Sequence, residues 1–380
     1  MTTGTVQGLE GVVVAESTKS LVNGIEGKLI YGGYRIEDLA ENALFEEVAF
    51  LLWNDRLPNK SELEGLRQTI AAEASVPDAV IEMLKVLPKE TNSMAAVRTA
   101  VSMLSPYDPD AENLTDKDVA QRKAVRLTGQ ITTICAAWAR IREGKEPVAP
   151  RHDLTLAQNF IYMLTDEEPD QTSSDAVNVY LVLLAEHGMN ASTFTSRVVT
   201  ATGSDMHSAV VAAIGALKGP AHGGANKEAM KTFLEIGDPA RVDEWFQTEV
   251  KQKKRRIMGI GHRVYKALDP RAAILKRHAK ALAQSTGNTK WFEIANRLEE
   301  TARADEYFIE RNLYPNVDYY SAIVLYTLDL DVDMFTPLFV MARVAGWTAH
   351  IIEQMGGRLI RPKAQYVGET DLAWVPLEAR

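Results

Sequence analysis

Apolar residues recur along most of the chain with the spacing of an α-helix. Between Ser174 and Asn190 they fall at i, i+3, i+4 and i+7, at Val177, Tyr180, Leu181 and Leu184. This spacing places them on one face of a helix, and the polar residues before them predict a start near Ser174 or Asp175. His187 is predicted to prolong the same stripe.

A second helix is predicted to be buried. The segment 334–357 is apolar on nearly all faces, with Thr336 as an N-cap candidate and Pro337 at the first helical position. Gly356 stands just past the end, where glycine commonly terminates a helix. A helix without a polar face belongs in the core of a large protein.

The segment 241–311 has a different composition. It is rich in Lys, Arg and Glu, and its apolar positions are sparser, which indicates a smaller and more solvated helical unit. Strand-like alternation is confined to short pieces, chiefly 11–15 and 28–31 near the N-terminus. The pattern as a whole predicts an all-α fold with minor N-terminal strand content.

The length and charge of the chain narrow the function classes. With 380 residues and 46% hydrophobic content, the chain can bury a large core and is expected to exceed one simple domain. Its formal net charge of -9 provides no global positive field for nucleic acid or an anionic membrane. We therefore expect no nucleic-acid or membrane partner, and an anionic ligand would need a local basic cluster.

The cysteine content and the N-terminal sequence indicate the cellular compartment of the protein. Cys135 is the only cysteine and lies in an apolar helical context, so an intrachain disulfide and a cysteine-rich zinc site are excluded. The first residues carry neither the basic nor the apolar region of a secretory signal. No uninterrupted apolar run approaches the length of a membrane span, about 18 residues. We expect a soluble cytoplasmic protein.

Three segments place an ionisable side chain at a bend, namely 218–226, 258–266 and 314–320. In the first, a Gly-Pro pair ends one helical pattern and a new one starts near Asn226, with His222 in the break. The glycines let a ligand approach the backbone, although a histidine in such a break is also found bonded to a nearby carbonyl. A P-loop is excluded, because Ala225 and Asn226 stand where that motif has Lys and then Ser or Thr.

The second segment carries His262 directly after Gly259 and Gly261. The third glycine of a dinucleotide-binding fingerprint is absent, which excludes a Rossmann loop. Backbone N–H groups between glycines, with Arg263 and the basic run 251–256 close by, can hold a phosphate or a diphosphate. The alternative is that the basic run is a solvated helix end.

Three further side chains are candidates for acid–base chemistry or anion binding. Asp318 follows Asn316 and falls in the first turn of a predicted helix, where the helix dipole favours Asp whether or not it does chemistry. Arg343 lies mid-helix among apolar residues, so it needs an anionic partner, which is either a ligand or an internal salt bridge. Arg361 precedes Pro362 in a basic loop that can present it to a carboxylate.

Together these segments resemble the citrate synthase family. The resemblance covers almost the whole chain, and the joint occurrence of the motifs in family order is highly specific. The matching motifs are Gly8–Val12, Gly32–Ala40, Phe45–Trp53, Gly219–Asn226, Gly259–Lys266, Asp269–Arg271, Asn316–Asp318 and Arg361–Lys363.

The resemblance implies a citrate-synthase-like fold of two helical domains and a homodimer. A large helical domain comprises residues 1–222 and 330–380, and a smaller one, residues 223–329, closes over an active site in the cleft. A homodimer, or a higher homo-oligomer built from dimers, is expected.

The resemblance also implies roles for individual residues. His222, His262 and Asp318 match the catalytic triad. The matches to oxaloacetate-binding residues are His187, Arg271, Arg343 and Arg361, the last usually contributed by the partner subunit. The candidate CoA-binding residues are Lys253, Lys254, Arg255, Arg256, Met258, Gly259, Gly261, Arg263 and Lys266.

The physical chemistry agrees with these roles. The methyl group of a thioester is a very weak carbon acid, so Asp318 can deprotonate it only if a hydrogen bond from a neutral His222 stabilises the enolate. His262 is placed to polarise the ketone of oxaloacetate and to supply a proton to the alkoxide. Acetyl-CoA and oxaloacetate are the expected substrates, in the entry step of the tricarboxylic acid cycle, and no metal or redox cofactor is expected.

Two alternatives stay open at this point. A 2-methylcitrate synthase uses propionyl-CoA through the same residues, and pocket shape discriminates one methylene by only about 1–3 kcal/mol. A non-catalytic ligand-binding regulator can share the fold, although such a protein has no physical reason to keep His222, His262 and Asp318. A serine or cysteine hydrolase is excluded, because no Gly-x-Ser-x-Gly elbow occurs and Cys135 lacks nearby turn glycines.

Overall fold

The computed structural model describes residues 6–380, and most of that part of the chain is helical. The first nine helices are α1 (Ile36–Asn42), α2 (Phe45–Asn54), α3 (Lys60–Ala72), α4 (Asp78–Val86), α5 (Ser93–Leu104), α6 (Lys117–Arg142), α7 (Leu156–Thr165), α8 (Gln171–Leu184) and α9 (Ala191–Thr200). The others are α10 (Met206–Leu217), α11 (Ala225–Ile236), α12 (Val242–Trp245), α13 (Pro270–Thr286), α14 (Lys290–Arg303), α15 (Glu306–Glu310), α16 (Val317–Thr327) and α17 (Phe335–Gln354). The predicted all-α class is confirmed.

Within the described residues, the strand content is one small antiparallel sheet near the N-terminus. Its strands β1 (Ser20–Asn23), β2 (Lys28–Tyr31) and β3 (Tyr34–Arg35) pair in sequence order, with Ser20 opposite Tyr31. The strand predicted at 28–31 is therefore confirmed. The strand predicted at 11–15 is wrong, because that segment is irregular and largely exposed, and alternation alone forms no strand where there is no edge to pair with.

Two long helices form the centre of the core. Trp138 on α6 and Trp347 on α17 are fully buried, and α17 packs against α6, α9, α10, α8 and α2. Cys135 is buried on α6 as predicted, with its Sγ 3.5 Å from the Pro337 carbonyl oxygen. By length and composition Val332–Gln354 could cross a membrane, but 89% of its apolar window is buried inside this fold, as in a core helix.

The predicted helix limits need small corrections. α17 starts at Phe335, after a short 3-10 turn that Asp331 caps, so Thr336 is inside the helix rather than its N-cap. α8 starts at Gln171, because the Asp170 side chain accepts a hydrogen bond from the Ser173 N–H. Apolar periodicity does not report such a polar first turn.

The C-terminal end of α8 determines where His187 lies. The helix ends at Leu184, and Gly188 has a left-handed backbone with φ of +62°. His187 therefore lies in the loop that follows the helix and does not prolong its stripe.

The charged segment 241–311 lies within a second group of helices. α13 packs against α16, and α16 also packs against α11 and α14. The proposed domain limits fall between helices, at the turn from α10 to α11 and at the turn that follows α16. The division into a large and a small domain stays a prediction.

Candidate active site

The turn between α10 and α11 presents His222. Its backbone N–H bonds to the Gly219 carbonyl at 2.9 Å, which closes the turn. A Cβ on Gly223 would lie 2.2 Å from the Leu217 carbonyl oxygen, so only glycine fits this close approach. The predicted break with a histidine inside it is therefore present, and His222 is half-buried.

The hydrogen bonds of His222 define its tautomer. The backbone N–H of Ser192 lies 3.2 Å from Nε2, and the Ser192 hydroxyl lies 2.8 Å from the same nitrogen. A backbone N–H can only donate, so Nε2 accepts and the neutral ring carries its proton on Nδ1. Burial, with the nearby charge of Arg343, lowers the pKa of His222 to about 4. The ring is therefore neutral at pH 7 and can donate from Nδ1.

The loop that carries His262 is joined to the start of α16. Gly261 N–H bonds to the Tyr314 carbonyl at 2.7 Å, and Asn316 N–H bonds to the Gly259 carbonyl at 2.8 Å. Gly259 has φ of +83°, and a Cβ there would lie 2.9 Å from the Cα of Tyr319. Two of the three predicted bends therefore form one unit, with glycine required at the contact.

His262 has the opposite tautomer from His222. Its Nδ1 accepts the backbone N–H groups of Val264 at 3.0 Å and Tyr265 at 3.1 Å, so the neutral ring carries its proton on Nε2. Burial and then the charge of Arg271 lower its pKa to about 4. Its ring centroid lies 5.6 Å from that of His187, which brings two predicted site histidines together.

Asp318 lies in the first turn of α16, as predicted, with its backbone N–H bonded to the Asn316 side chain at 2.9 Å. Burial raises the pKa of its carboxyl to about 6, although Arg271 and Arg343 act in the opposite direction. A carboxyl held there only by the helix dipole would have a lowered pKa. The raised pKa is the property of a general base that works near neutral pH.

The two buried arginines among the predicted site residues differ in their partners. Arg271 makes a bidentate ion pair with Asp269, with both N–O distances 2.9 Å. Arg343 is 2% exposed, and its Nε donates to the Leu184 carbonyl at 2.7 Å. Among the described residues Arg343 has no carboxylate within ion-pair distance, so the predicted internal salt bridge is absent. A buried guanidinium without a carboxylate is suited to an anionic ligand.

His187 lies beside these cationic groups. Its Nε2 lies 3.3 Å from the Tyr265 hydroxyl. Burial is the main reason why its pKa is lowered, and Arg271 and Arg343 add to the effect. The structure thus places a carboxyl, neutral imidazoles and two guanidinium groups within electrostatic reach of one another.

The candidate CoA-binding cations differ in whether a carboxylate of the chain already pairs with them. Lys253 pairs with Glu249 at 2.7 Å, and Arg255 pairs with Glu235 at 2.7 Å. The exposed residues of the set are Lys253, Lys254, Arg255, Arg256, Met258, Arg263 and Lys266. Arg361 lies apart from them in the exposed segment after α17. The CoA-binding and Arg361 assignments stay predictions.

Sequence reasoning missed several side chains that lie near the predicted ones. They are Ser192 and Trp347 behind His222, Tyr265 beside His187, Asp269 on Arg271, and Tyr180, whose buried hydroxyl lacks a partner among the described residues. Asp269 carried a usable signal, because Asp before Pro is a typical helix start. Ser192 carried a similar signal in the Asn-Ala-Ser-Thr start of α9, but nothing local linked it to His222.

The arrangement defines a class of enzyme that removes a proton from a weak acid and stabilises the resulting anion beside an anionic substrate. The family model described as "Citrate synthase, C-terminal domain" matches residues 8–363. The chain belongs to the citrate synthase family and is an enzyme of that family.

Individual relatives support this assignment. Citrate synthase 2 of Bacillus subtilis is 48% identical over 376 residues, which cover 98% of this chain and 99% of that protein. The 2-methylcitrate synthase of Mycobacterium tuberculosis H37Rv is 41% identical and covers 95% and 90%. A solved ternary complex of Thermoplasma acidophilum citrate synthase with carboxymethyl coenzyme A and oxaloacetate has a TM-score of 0.91, 35% identity and 98% coverage of both chains.

Proposed function

We propose that this enzyme condenses acetyl-CoA with oxaloacetate and water to give citrate and CoA. The observation that carries the proposal is the pairing of opposite tautomers, with His222 donating from Nδ1 and His262 donating from Nε2. A reaction that develops negative charge on two different oxygens in succession needs two such donors. The alternative of a non-catalytic regulator has no use for this arrangement.

In the first step Asp318 removes a proton from the methyl group of acetyl-CoA. The electrons of the broken C–H bond move onto the thioester oxygen, where the Nδ1–H of His222 stabilises the enolate. Because the carboxyl has a pKa of about 6, it is ionised at pH 7 and still basic enough to accept the proton.

In the second step the enolate carbon attacks the ketone carbon of oxaloacetate. The ketone π electrons move onto its oxygen, which takes a proton from the Nε2–H of His262. Water then gives a proton back to His262 while its oxygen adds to the thioester carbon of the condensed product. The C–S bond breaks, CoA leaves as the thiol, and Asp318 returns its proton to solvent. The two carboxylates of oxaloacetate need cationic partners, and Arg343, Arg271 and a partner subunit's Arg361 are proposed for them. His187 is proposed as a neutral hydrogen-bond donor to the same substrate.

The CoA moiety needs a separate cationic surface for its phosphates. Arg256, Arg263 and Lys266 are exposed, and the N–H groups near Gly259 and Gly261 lie beside them in sequence. Closure of residues 223–329 over the ligands would exclude water until condensation is complete.

Release of CoA in the presence of oxaloacetate tests the proposed reaction and its acyl specificity. Acetyl-CoA and propionyl-CoA are compared at equal concentrations, and we expect the higher kcat/KM with acetyl-CoA. A higher value with propionyl-CoA would assign the chain to 2-methylcitrate synthesis. Absence of CoA release with either thioester would contradict the proposal as a whole.

We propose that no metal or redox cofactor takes part. The base, the two donors and the cations of the proposed reaction are all side chains of this family fold, so no step requires a bound metal ion. Dialysis against EDTA is expected to leave kcat unchanged, and a loss that Zn²⁺ or Mg²⁺ restores would contradict the proposal.

We propose that two copies of the chain assemble, because the segment after α17 exposes several large apolar side chains. Tyr366, Val367, Leu372 and Trp374 are each more than 70% exposed. Single exposed apolar residues are normal, but several within one short segment favour an interface. Light scattering is expected to give twice the mass of 42.0 kDa, or a higher multiple of the dimer.

We also propose a cytoplasmic location. The single cysteine is a buried free thiol, as is usual in a reducing compartment. Fractionation of cells that express the chain is expected to recover it with cytoplasmic markers, and recovery with membranes would contradict this.

A further inference from the structure

The tip of the β1–β2 hairpin packs closely against the loop that carries His262. A Cβ on Gly24, in this tip, would lie 2.1 Å from the Val264 carbonyl oxygen. The Gly24 carbonyl accepts the Lys266 N–H at 2.8 Å, and Gly24 is buried. The two backbones are therefore in direct contact, and the contact depends on a glycine.

A second glycine of the tip makes a similar contact further along the loop. A Cβ on Gly27 would lie 2.6 Å from the Leu268 carbonyl oxygen. Gly27 has φ of +64°, whereas Gly24 is outside the left-handed region. At Gly24 the three atoms nearest to an added Cβ all belong to Val264. The turn itself therefore favours glycine at position 27, but at position 24 the His262 loop is what excludes a side chain.

One peptide unit connects the contact at Gly24 to the imidazole. The Val264 carbonyl faces Gly24, and the N–H of the same peptide unit, on Tyr265, donates to Nδ1 of His262 at 3.1 Å. A peptide unit is planar and rigid, so a displaced carbonyl displaces the N–H that orients the ring. A Cβ on Gly24 would force the two backbones about 1 Å further apart, because Cβ contacts below 3.0 Å are essentially never found.

The base of the hairpin is fixed to the loop that carries His187. The Tyr31 hydroxyl donates to the Glu186 carbonyl at 2.6 Å, and the Ser20 hydroxyl accepts the Gly188 N–H at 3.0 Å. Tyr31 is fully buried. One hairpin therefore contacts both histidine loops, one at its base and the other at its tip, and fixes their relative position.

We propose that Gly24 is a positioning residue that holds His262 where its Nε2–H meets the ketone of oxaloacetate. The inference rests on the proposed function of His262 and adds a residue that is distant from it in sequence. Gly24 touches no reacting atom in this assignment, so it acts through the peptide unit alone. Asp318 and His222 are carried by other segments, α16 and the turn before α11.

One variant, a matched control and a reference variant test the inference. Gly24→Ala adds the Cβ that the loop excludes. The control is Gly65→Ala, because Gly65 is exposed inside α3 and an added Cβ would meet no described atom outside its own helix within 4 Å. His262→Gln removes the imidazole and shows which signals depend on it. Urea unfolding checks that each variant is folded.

The first measurement is the infrared ketone band of bound oxaloacetate, labelled with ¹³C at its ketone carbon, without acetyl-CoA. A hydrogen bond to the ketone oxygen draws charge onto that oxygen and weakens the C=O bond. The bound band should therefore lie below the band of free oxaloacetate in the wild type and in Gly65→Ala. We expect Gly24→Ala to return the band toward the free position, as His262→Gln does.

The second measurement separates the two steps of the reaction. We expect the single-turnover rate of condensation to fall by about 10- to 100-fold in Gly24→Ala, the scale of a displacement of about 1 Å at a catalytic group. Exchange of the acetyl-CoA methyl protons with solvent deuterium, beside a saturating unreactive oxaloacetate analogue, should continue near the wild-type rate. Asp318 and His222 carry out that step, so a defect that opened the whole site would slow both steps alike.

A second variant covers the case in which Gly24→Ala does not fold. The Asn23 Oδ1 accepts the Ile25 and Glu26 N–H groups, each at 3.1 Å, and so shapes the tip. Asn23→Ala adds no atom at the contact but loosens the tip, and we expect it to move the ketone band in the same direction. A band at the wild-type position in this variant would then overturn the inference.

Two results with a folded Gly24→Ala variant would overturn the inference alone. One is a ketone band and a condensation rate that match those of Gly65→Ala, and the other is an equal loss of exchange and condensation. A His262→Gln band that stays at the wild-type position would contradict the proposed role of His262, and the inference with it. The reference variant therefore distinguishes failure of the proposed function from failure of the hairpin contact.

Discussion

Asp318 shows how the surroundings of one side chain adapt it to its proposed role. The carboxyl is within electrostatic reach of two guanidinium groups, yet burial outweighs them and raises its pKa to about 6. Burial acts in the opposite direction on the imidazoles of His222 and His262 and lowers the pKa of each to about 4. The three groups thus have the protonation states that enolisation needs at the same neutral pH.

The first prediction is the pH dependence of kcat/KM for acetyl-CoA. Only the ionised form of Asp318 can accept a proton, so activity should fall as the pH decreases through about 6 and should be constant just above it. The histidines stay neutral down to about 4 and add no loss in that interval. Measurement of kcat/KM across this pH range in mixed buffers tests the prediction. We expect log(kcat/KM) to rise with a slope of one per pH unit below about pH 6, as for a single ionising group.

The control for this profile is Asp318→Glu, which keeps a carboxyl but moves it. This variant should have a lower rate, and its log(kcat/KM) should still fall with a slope of one on the acid side of the profile. An acid limb at about 4 in the wild type would assign the loss to histidine protonation and contradict the role of Asp318.

The second prediction concerns Arg343, which is buried without a carboxylate partner in the described part of the chain. Arg343→Leu removes no internal ion pair, so the free energy of unfolding should not decrease greatly. Oxaloacetate affinity should fall by about 2–5 kcal/mol, because a substrate carboxylate loses its charged donor. Titration calorimetry with oxaloacetate and urea unfolding measure the two quantities separately.

The matched variant is Arg263→Ala, at an exposed arginine whose nearest acid, Glu10, is 3.9 Å away. It should weaken CoA binding and leave oxaloacetate binding nearly unchanged. Equal effects of the two variants on both ligands would refute the separation into a dicarboxylate site and a phosphate site.

At the scale of elements, Asp269 ties two helices of the site together. Its side chain caps the start of α13, pairs with Arg271 and accepts the Val317 N–H at 3.2 Å, at the start of α16. Asp269 and Arg271 are each 2% exposed. The helix that carries Asp318 is therefore positioned by a buried ion pair at the end of its neighbour.

The third prediction is the cost of breaking that pair. Asp269→Asn leaves the Arg271 charge buried and unpaired, which should lower the free energy of unfolding by about 3–5 kcal/mol. Urea unfolding followed by circular dichroism measures it. The control is Asp243→Asn, whose pair with Arg297 is about half exposed on both sides, so its loss should be much smaller than that of Asp269→Asn. Equal losses would mean that the Asp269 pair is not a special constraint.

Helices were the part of this fold that the sequence made most predictable. The unbroken apolar pattern of 334–357 and the stripe of α8 have local causes, and so do the bends that carry His222 and His262. Contacts between distant residues have no such local cause. Ser192 and Trp347 are 155 positions apart, and the contact of Gly259 with Tyr319 depends on how α16 packs. Side chains that lie behind the proposed catalytic groups therefore appeared only in the structure.

At the scale of the whole molecule, the segment that follows α17 differs from the rest. Residues 357–380 have no buried side chain, and Arg361 lies among them, before the exposed Tyr366 and Trp374. Burying these apolar side chains against another surface would lower the free energy of the protein. If that surface belongs to a second copy, Arg361 reaches a site whose base is on the other chain.

The last prediction tests this exchange by complementation. Asp318→Asn should lower kcat by at least about 100-fold, the scale of a lost general base, and Arg361→Leu should be similarly inactive through lost oxaloacetate binding. Co-expression of the two chains with different affinity tags, followed by tandem purification, isolates mixed dimers. One of the two sites in each mixed dimer then carries a native Asp318 from one chain and a native Arg361 from the other, so about half of the wild-type activity should return. Mixed dimers that stay inactive would mean that each site takes both residues from one chain.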